Sequence, residues 1–428
     1  MADFTSTVHQ NEFLPDGGTD VHAIVSVTCS GAGTVAPMSS TSGEAGEIII
    51  VDVSGSMDVQ GVQAAAYAAS AALDQIVDGV WFAIVAGNHE AALCYPDGTV
   101  AAMVRMSPQT RLEAKRSLQR LVPGGGTAMG RWLLAAGQLF GSVPTLTKRH
   151  AILLTDGANQ HETPQELNWA IEQVRGRYQA DCRGLGAAWQ VAEVRRIAEA
   201  LMGTVELIRT WEGLPQDFAQ LMQQSMGRGV PEAQLRVWAP QGAEVLFVKQ
   251  VSPSLEDLSG RRTEVNALTG AYDTGAWGDE TRDFHVAVRL APKAVGQEQL
   301  AARVQLVVGE EVRTQGLVKA RWSGDSLLTA QISPEVAHYT GQTELASAIQ
   351  DGLRAKAIGD DATATSRLGR AVQLARETGD EAATSRLARV VDIDDAATGR
   401  VRLRRNVDRL DEMELDTAST KTTRVRPQ

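Results

Sequence analysis

Three stretches of the chain bring hydroxyl and carboxylate side chains to the ends of apolar runs. IIIVDVSGSM sets Asp52, Ser54 and Ser56 at alternate positions, VPGGGTAMG presents Thr127 after three glycines, and ILLTDGAN places Asp156 directly behind a second apolar run. Alternate residues of a short loop can turn their oxygens to one side, and Gly55 lets the backbone bend tightly between them. Oxygen donors of this kind suit a hard divalent cation, Mg2+ first and Mn2+ or Ca2+ as alternatives. Such ions take oxygen ligands, and Mg2+ keeps part of its water shell. The set contains no general base, so it is better suited to binding than to hydrolysis, and the chain is expected not to be an enzyme.

Rival chemistries fail on particular residues. A haloacid-dehalogenase phosphatase needs DxDxT after its first strand, and Ser54 stands where the second carboxylate would be. A phosphate-cradling P-loop needs GxxxxGK[ST], and no lysine accompanies GGGTAMG. No GxSxG elbow supports an α/β-hydrolase. The seven histidines form no metal-spaced pair; His150 and His161, which flank the site in sequence, read as packing or surface residues. Cys182 falls inside a strand and reads as a small buried hydrophobe.

Residues 46–228 alternate strand-like and helix-like stretches, and these must position the oxygens. GEIIIVDV is a continuous β-branched run, as expected of a strand buried on both faces. Further strands read at VWFAIVAG, AALCYP, RHAILLTDG, YQADCRGLGAAW and VELI. Helices read at 57–77, RLEAKRSLQRL, 129–140, PQELNWAIEQVRGR, 191–202 and PQDFAQLMQQSM. This alternation predicts an α/β fold with a doubly wound, mostly parallel sheet, whose ligands sit at the carboxyl ends of the strands.

Residues 229–338 have a different texture. LRVWAP, AEVLFVKQV, RDFHVAVRLAP, LAARVQLVVG and LLTAQIS are strand-length pieces with no helix between them, which predicts an antiparallel β-sandwich. Residues 1–45 contain VHAIVSVTC and are expected to supply further strands to that sandwich, so that the domain is discontinuous. Residues 339–398 read as a short helical segment broken near Gly359 and Gly379, and RVRLRR (Arg400 to Arg405) as the end of a charged helix. Residues 399–428 read as a flexible tail.

The order DxSxS, a threonine after glycines, then a strand ending in TDG resembles the metal-ion-dependent adhesion site of von Willebrand factor A domains of the integrin I-domain type. The resemblance covers about 180 residues and none of its motifs departs from the pattern. It implies that Ser54, Ser56 and Thr127 are direct metal ligands. Asp52 and Asp156 would act through bound waters, and the sixth position would take a Glu or Asp carboxylate from a protein partner. The expected function is a metal-dependent protein-binding adaptor in Ser/Thr kinase-linked signalling or stress response. A partner or chaperone-like cofactor of a MoxR-type ATPase is one alternative, and a metal-dependent hydrolase another.

Net charge −11 argues against a nucleic-acid binder, since nothing offsets phosphate repulsion. The three cysteines are far apart and form no CxxC pair, which fits a reducing compartment. No basic, apolar leader and no run of about eighteen apolar residues occurs, so a cytoplasmic protein without a membrane span is expected. The stretch TASTKTTRVR sets Thr422 and Thr423 beside Lys421, Arg424 and Arg426. In a flexible tail these threonines would be open to a Ser/Thr kinase and then to a forkhead-associated domain protein.

Overall fold

The structure, a computed structural model, describes residues 2–33, 44–97 and 102–425. They form two compact units, one within residues 32–232 and 275–278, the other within residues 2–31, 233–274 and 279–425. The chain opens in the second unit with β1 (Asp3–Gln10), β2 (Phe13–Leu14) and β3 (Asp20–Ser30), then enters the first.

The first unit is α/β. It runs β4 (Glu44–Asp52), α1 (Asp58–Leu73), β5 (Trp81–Gly87), β6 (Ala91–Tyr95), β7 (Val104–Arg105), α2 (Pro108–Leu118) and α3 (Met129–Gly141). It continues through β8 (Leu146–Thr155), α4 (Pro164–Val174), β9 (Gln179–Leu185), α5 (Val191–Ala200), β10 (Val205–Ile208) and α6 (Leu214–Met226). The sheet order is β10-β9-β8-β4-β5-β6, with β7 also on β5. β10, β9, β8, β4 and β5 are parallel, and β6 and β7 run against β5. β4 is central and apolar because both its faces are covered, and Ile48, Ile49, Ile50 and Val51 are all buried. Alanines 65, 68, 69 and 72 of α1 are buried in the core that also holds Ile49, Val51, Phe218 and Met222, so small side chains let α1 lie close to its neighbours. Helices α2 and α4 start on capping boxes, Ser107 with Thr110 and Thr163 with Glu166, each followed by proline.

His150 is wholly buried in this sheet. Its Nδ1 lies 2.7 Å from Glu47 Oε2 on β4 and its Nε2 3.0 Å from Asp181 Oδ2 on β9. A neutral imidazole has one donor, so a ring facing carboxylates on both sides is held as the doubly protonated cation. Accordingly, although burial opposes the charge, the two carboxylates raise its pKa. Ser225 of α6 donates to Glu47 Oε1 (2.7 Å), and Lys148 donates to the Ser225 carbonyl, tying the last helix to the same cluster.

The second unit continues with β11 (Val230–Trp238), β12 (Glu244–Ser252), β13 (Glu256–Asp257), β14 (Arg262–Asn266), β15 (Thr269–Trp277), β16 (Glu280–Arg289), β17 (Glu298–Val308) and β18 (Glu311–Trp322). Two sheets form, β1-β3-β16-β12-β13 and β14-β15-β11-β17-β18-β2. β1–β3, β3–β16, β16–β12, β12–β13, β14–β15, β11–β17 and β17–β18 pair antiparallel, and β2 pairs parallel with β18. β3 lies between β1 and β16, in register from Asp20↔Arg289 to Cys29↔Glu280. Val21, Ala23, Val25, Val27 and Cys29, one face of β3, are buried.

Three readings of the C-terminal third are corrected. LLTAQIS is not a strand: Asp325 caps a short helix, α7 (Ser326–Thr329), by accepting from Leu327 N–H at 2.9 Å, and Leu327 is exposed. Helices α8 (Pro334–Ala357), α9 (Asp361–Glu377) and α10 (Glu381–Val390) follow, broken at Gly359 and Gly379, both at positive φ. RVRLRR does not end a helix: β19 (Val391–Asp395) pairs with β20 (Arg400–Leu403), burying Val401 between exposed Arg400 and Arg402, while Arg402 and Arg404 ion-pair with Asp394 and Asp392.

Nor do residues 399–425 form a flexible tail. After β20 comes α11 (Arg409–Ala418), capped by Asp408, and then a strap laid on the sandwich. The Thr420 carbonyl accepts from Leu255 N–H (2.7 Å), and Thr422 donates its N–H to the Pro253 carbonyl (3.2 Å) and its hydroxyl to the Val251 carbonyl (2.7 Å). Gln342 of α8 donates to Thr423 Oγ1 (2.7 Å), and Arg424 grips buried Asp283 with two bonds of 3.0 and 3.1 Å. The polar composition misleads because these residues gain partners on β12, β16 and α8 instead of a core of their own. Arg426 lies outside the described residues. With both hydroxyls engaged, a Ser/Thr kinase is expected to modify the folded protein at Thr422 or Thr423 roughly tenfold more slowly than a free peptide of residues 416–425. Phosphate incorporation followed by mass spectrometry checks this; equal rates would mean that the strap does not protect them.

Among the described residues no helix is long and apolar enough to cross a membrane.

Candidate metal centre

The parallel pairings β4–β5 and β4–β8 bring the carboxyl ends of three neighbouring strands together. Asp52 closes β4 and is fully buried. Its Oδ1 accepts from Ser54 N–H at 2.8 Å and its Oδ2 from the Thr155 hydroxyl at 2.7 Å, which fixes the carboxylate in one orientation. Ser54 is buried and Ser56 is exposed, with their hydroxyl oxygens 2.9 Å apart. Buried Met57 anchors the loop behind them. Ser56 Oγ also donates to Asp156 Oδ1 at 2.7 Å. Thr127 joins the group: a Cβ placed on Gly157 would fall 3.0 Å from Ser56 Oγ and 3.4 Å from Thr127 Oγ1. The structure thus gathers Asp52, Ser54, Ser56, Thr127 and Asp156 at one place.

The glycine loop is held rather than loose. Gly124 N–H bonds the Val53 carbonyl (2.8 Å), the Gly125 carbonyl accepts from Gly55 N–H (2.9 Å), and Asn88 Nδ2 donates to the Gly124 carbonyl (3.0 Å). Gly125 has φ +78, and a Cβ there would strike His89 Nδ1 at 2.2 Å. A Cβ on Gly126 would strike His161 Cε1 at 1.8 Å. Two imidazoles therefore lie against bare backbone, with ring centroids 6.3 Å apart. Ala128 N–H then bonds the Asn88 carbonyl at 3.0 Å, which also accepts from Trp132 Nε1 at 2.7 Å. Asn88, His89, Thr155 and the contacts of His161 with the Thr127 backbone escaped the sequence reading, which had His161 as a packing or surface residue. Thr155 was visible in TDG, but only the fold turns its hydroxyl onto Asp52.

Electrostatically the site pairs a buried carboxyl, Asp52, with a half-buried one, Asp156. Burial raises the pKa of Asp52, against hydrogen bonds from Ser54 and Thr155. Burial likewise pushes Asp156 up to about 6; the Ser56 hydroxyl opposes this and the Asp52 charge adds to it. A carboxyl whose folded pKa exceeds its unfolded value contributes stability below about pH 4 that is lost as pH rises through about 6. Without added divalent cation, Asp156→Asn should therefore gain stability relative to the parent between pH 4 and pH 7. Paired thermal melts across that range check the sign, and a constant difference would refute it.

The donor set fits a hard cation. Oxygens in neighbouring positions of an octahedron around Mg2+ lie about 2.9 Å apart, given bonds of about 2.0–2.1 Å. The Ser54–Ser56 hydroxyl separation of 2.9 Å matches that edge, and Ser56 hydrogen-bonds Asp156 beside it. Among the described residues no group of three or more His, Cys, Asp or Glu side chains could hold a metal ion. Any cation here would thus depend on the serine and threonine hydroxyls.

Comparison with known proteins bears on the same residues. The family model described as von Willebrand factor type A domain matches residues 47–207, and that described as von Willebrand factor type A C-terminal domain matches residues 373–419. A solved von Willebrand factor type A protein from Catenulispora acidiphila is 46% identical; the likeness covers 99% of this chain and 97% of that one, with a TM-score of 0.93. The ArnB paralog VWA2 from Sulfolobus acidocaldarius is alike over 98% of each chain with a TM-score of 0.60 and 13% identity, a likeness of fold alone. The uncharacterized protein sll0103 of Synechocystis sp. is 25% identical over 215 residues. That match takes in 49% of each, so this chain spans about half the length of that curated relative.

Proposed function

Since the chain belongs to the von Willebrand factor type A domain family, we propose that it is a non-catalytic, metal-dependent protein-binding adaptor. Ser54, Ser56 and Thr127 would hold Mg2+ directly, with Asp52 and Asp156 acting through water. A Glu or Asp of a protein partner would complete the shell. The observation that carries this reading is the 2.9 Å spacing of the Ser54 and Ser56 hydroxyls, with Asp156 hydrogen-bonded to Ser56 where β4 and β8 end side by side. When bound, the cation supplies a positive centre that a carboxylate can reach, and the chain's own part is to fix the oxygens around it. A hydrolase would need a base beside the metal, and both carboxylates are already engaged by Ser54, Ser56 and Thr155.

The biological setting we infer is signalling or stress response linked to a Ser/Thr kinase, with a MoxR-type ATPase as the other partner class. The test is capture of host proteins on the immobilised chain, with Mg2+ or with chelator, using the parent and Thr127→Ala. A protein held only by the parent and only with Mg2+ is expected, and its identity separates the two settings. Retention that ignores both chelator and Thr127→Ala would sink the adaptor reading, and turnover of a substrate at the site would replace it with the hydrolase.

A further inference from the structure

We propose that His161 is the positioning residue of this centre: it grips the Thr127 peptide on both sides and so aims the Thr127 hydroxyl at Ser56. The proposal rests on the metal-binding reading for its consequence, and on geometry alone for the grip. The Thr127 N–H points at His161 Nδ1 at 3.3 Å, and the Thr127 carbonyl accepts from the His161 backbone N–H at 2.9 Å. One residue thus satisfies both backbone groups of Thr127. The next backbone donor, Ala128 N–H, is taken by the Asn88 carbonyl. With the peptide fixed on either side, the side chain of Thr127, only 4% exposed, has little freedom left.

The three preceding glycines cannot do this, since they carry no side chain that could anchor the loop. Their contribution is the reverse: Gly126 leaves the space that the His161 ring fills, and Gly125 the space for His89. The bond from Thr127 N–H requires a bare lone pair on Nδ1, so the proton of the neutral imidazole sits on Nε2. The ring lies against Gly126, and its Nδ1 acceptor is the feature the loop uses.

Two substitutions separate acceptor from shape. In His161→Phe a ring remains but the acceptor is gone; in His161→Asn the amide oxygen can stand where Nδ1 stood. Partners that orient metal ligands are worth roughly 10- to 100-fold in metal affinity. Calorimetry with Mn2+ is therefore expected to show roughly tenfold weaker binding for His161→Phe, and parent-like binding for His161→Asn. Thermal melting should stay close to the parent's for both, because the residue is exposed. Hydrogen exchange at the Thr127 amide supplies a readout that needs no metal: slow in the parent and in His161→Asn, fast in His161→Phe. If the parent binds no Mn2+, the metal reading fails while exchange still judges the grip. Unchanged exchange in His161→Phe, or equal loss of affinity in both variants, would overturn the proposal.

Discussion

Asp52→Ala should weaken Mg2+ or Mn2+ binding by roughly 100- to 1000-fold while leaving the fold intact. A unit charge about 4 Å from another at a protein surface is worth about 4 kcal/mol, and each 1.4 kcal/mol is a factor of ten. Water between carboxylate and cation reduces this, while the cation's double charge increases it. The fold should survive because burial already works against the Asp52 carboxylate, whose pKa it raises. The cost on the protein side is the loss of an acceptor for the buried Ser54 N–H, roughly 1–3 kcal/mol, while the Thr155 hydroxyl still reaches the Gly157 carbonyl. Titration calorimetry together with a melting curve separates the two effects. Parent-like affinity in a folded variant would show that the oxygens do not form a cation site.

The largest loss of stability is expected at the other buried charge cluster. Glu47 is wholly buried between His150, Lys148 and Ser225. Burial alone would raise its pKa, yet the His150 and Lys148 charges overcome this and hold the carboxyl below its usual range. Burial pulls Lys148 down to about 8, with Glu47 opposing the fall. Glu47→Gln removes the anion, leaving Lys148 without its carboxylate and His150 with Asp181 alone, and breaking a buried pair in this way costs about 3–5 kcal/mol. In an α/β unit of this size that corresponds to a melting temperature lower by about 6–20 °C. The parent's Glu47 stabilisation exists above the ordinary carboxylate pKa and is lost as pH falls through its depressed folded value. The gap between parent and variant should thus be widest near neutral pH and close in acid. Calorimetric scanning at pH 7 and at a series of values below pH 4 checks both magnitude and sign; a fall under about 1 kcal/mol at pH 7 would mean that the cluster relaxes around the amide.

Much of this was legible in the chain itself. The α/β alternation, the β-branched β4 and the five oxygen-bearing residues follow from side-chain period and from what a hard cation accepts. What escaped notice depends on tertiary partners. His150 looks like any histidine until β4 and β9 bring Glu47 and Asp181 to its two nitrogens. Thr422 and Arg424 are too polar to form a core, and nothing local reveals that Val251 and Asp283 wait for them. β20 was misread because RVRLRR is rich in charge; its period-2 burial of Val401 was the missed signal. Asp325 before Ser326 was a helix cap in plain view, overlooked beside the apolar LLTA.

The order of synthesis has a consequence in the pairing of β3 with β16. When β1 and β3 leave the ribosome, the strand that will flank β3 is still about 250 residues from being made. The entropy of closing so long a loop would fall on the sandwich alone if the intervening chain were slack. It is not slack, because the inserted α/β unit is nearly continuous in sequence and has its own core, so it can fold while translation proceeds. Its two ends meet: a Cβ on Gly229 would fall 2.0 Å from the Ala32 carbonyl oxygen. Once that unit closes, the ribosome's late strands are delivered beside the waiting early ones, and a long-range contact is reached at the cost of a short one.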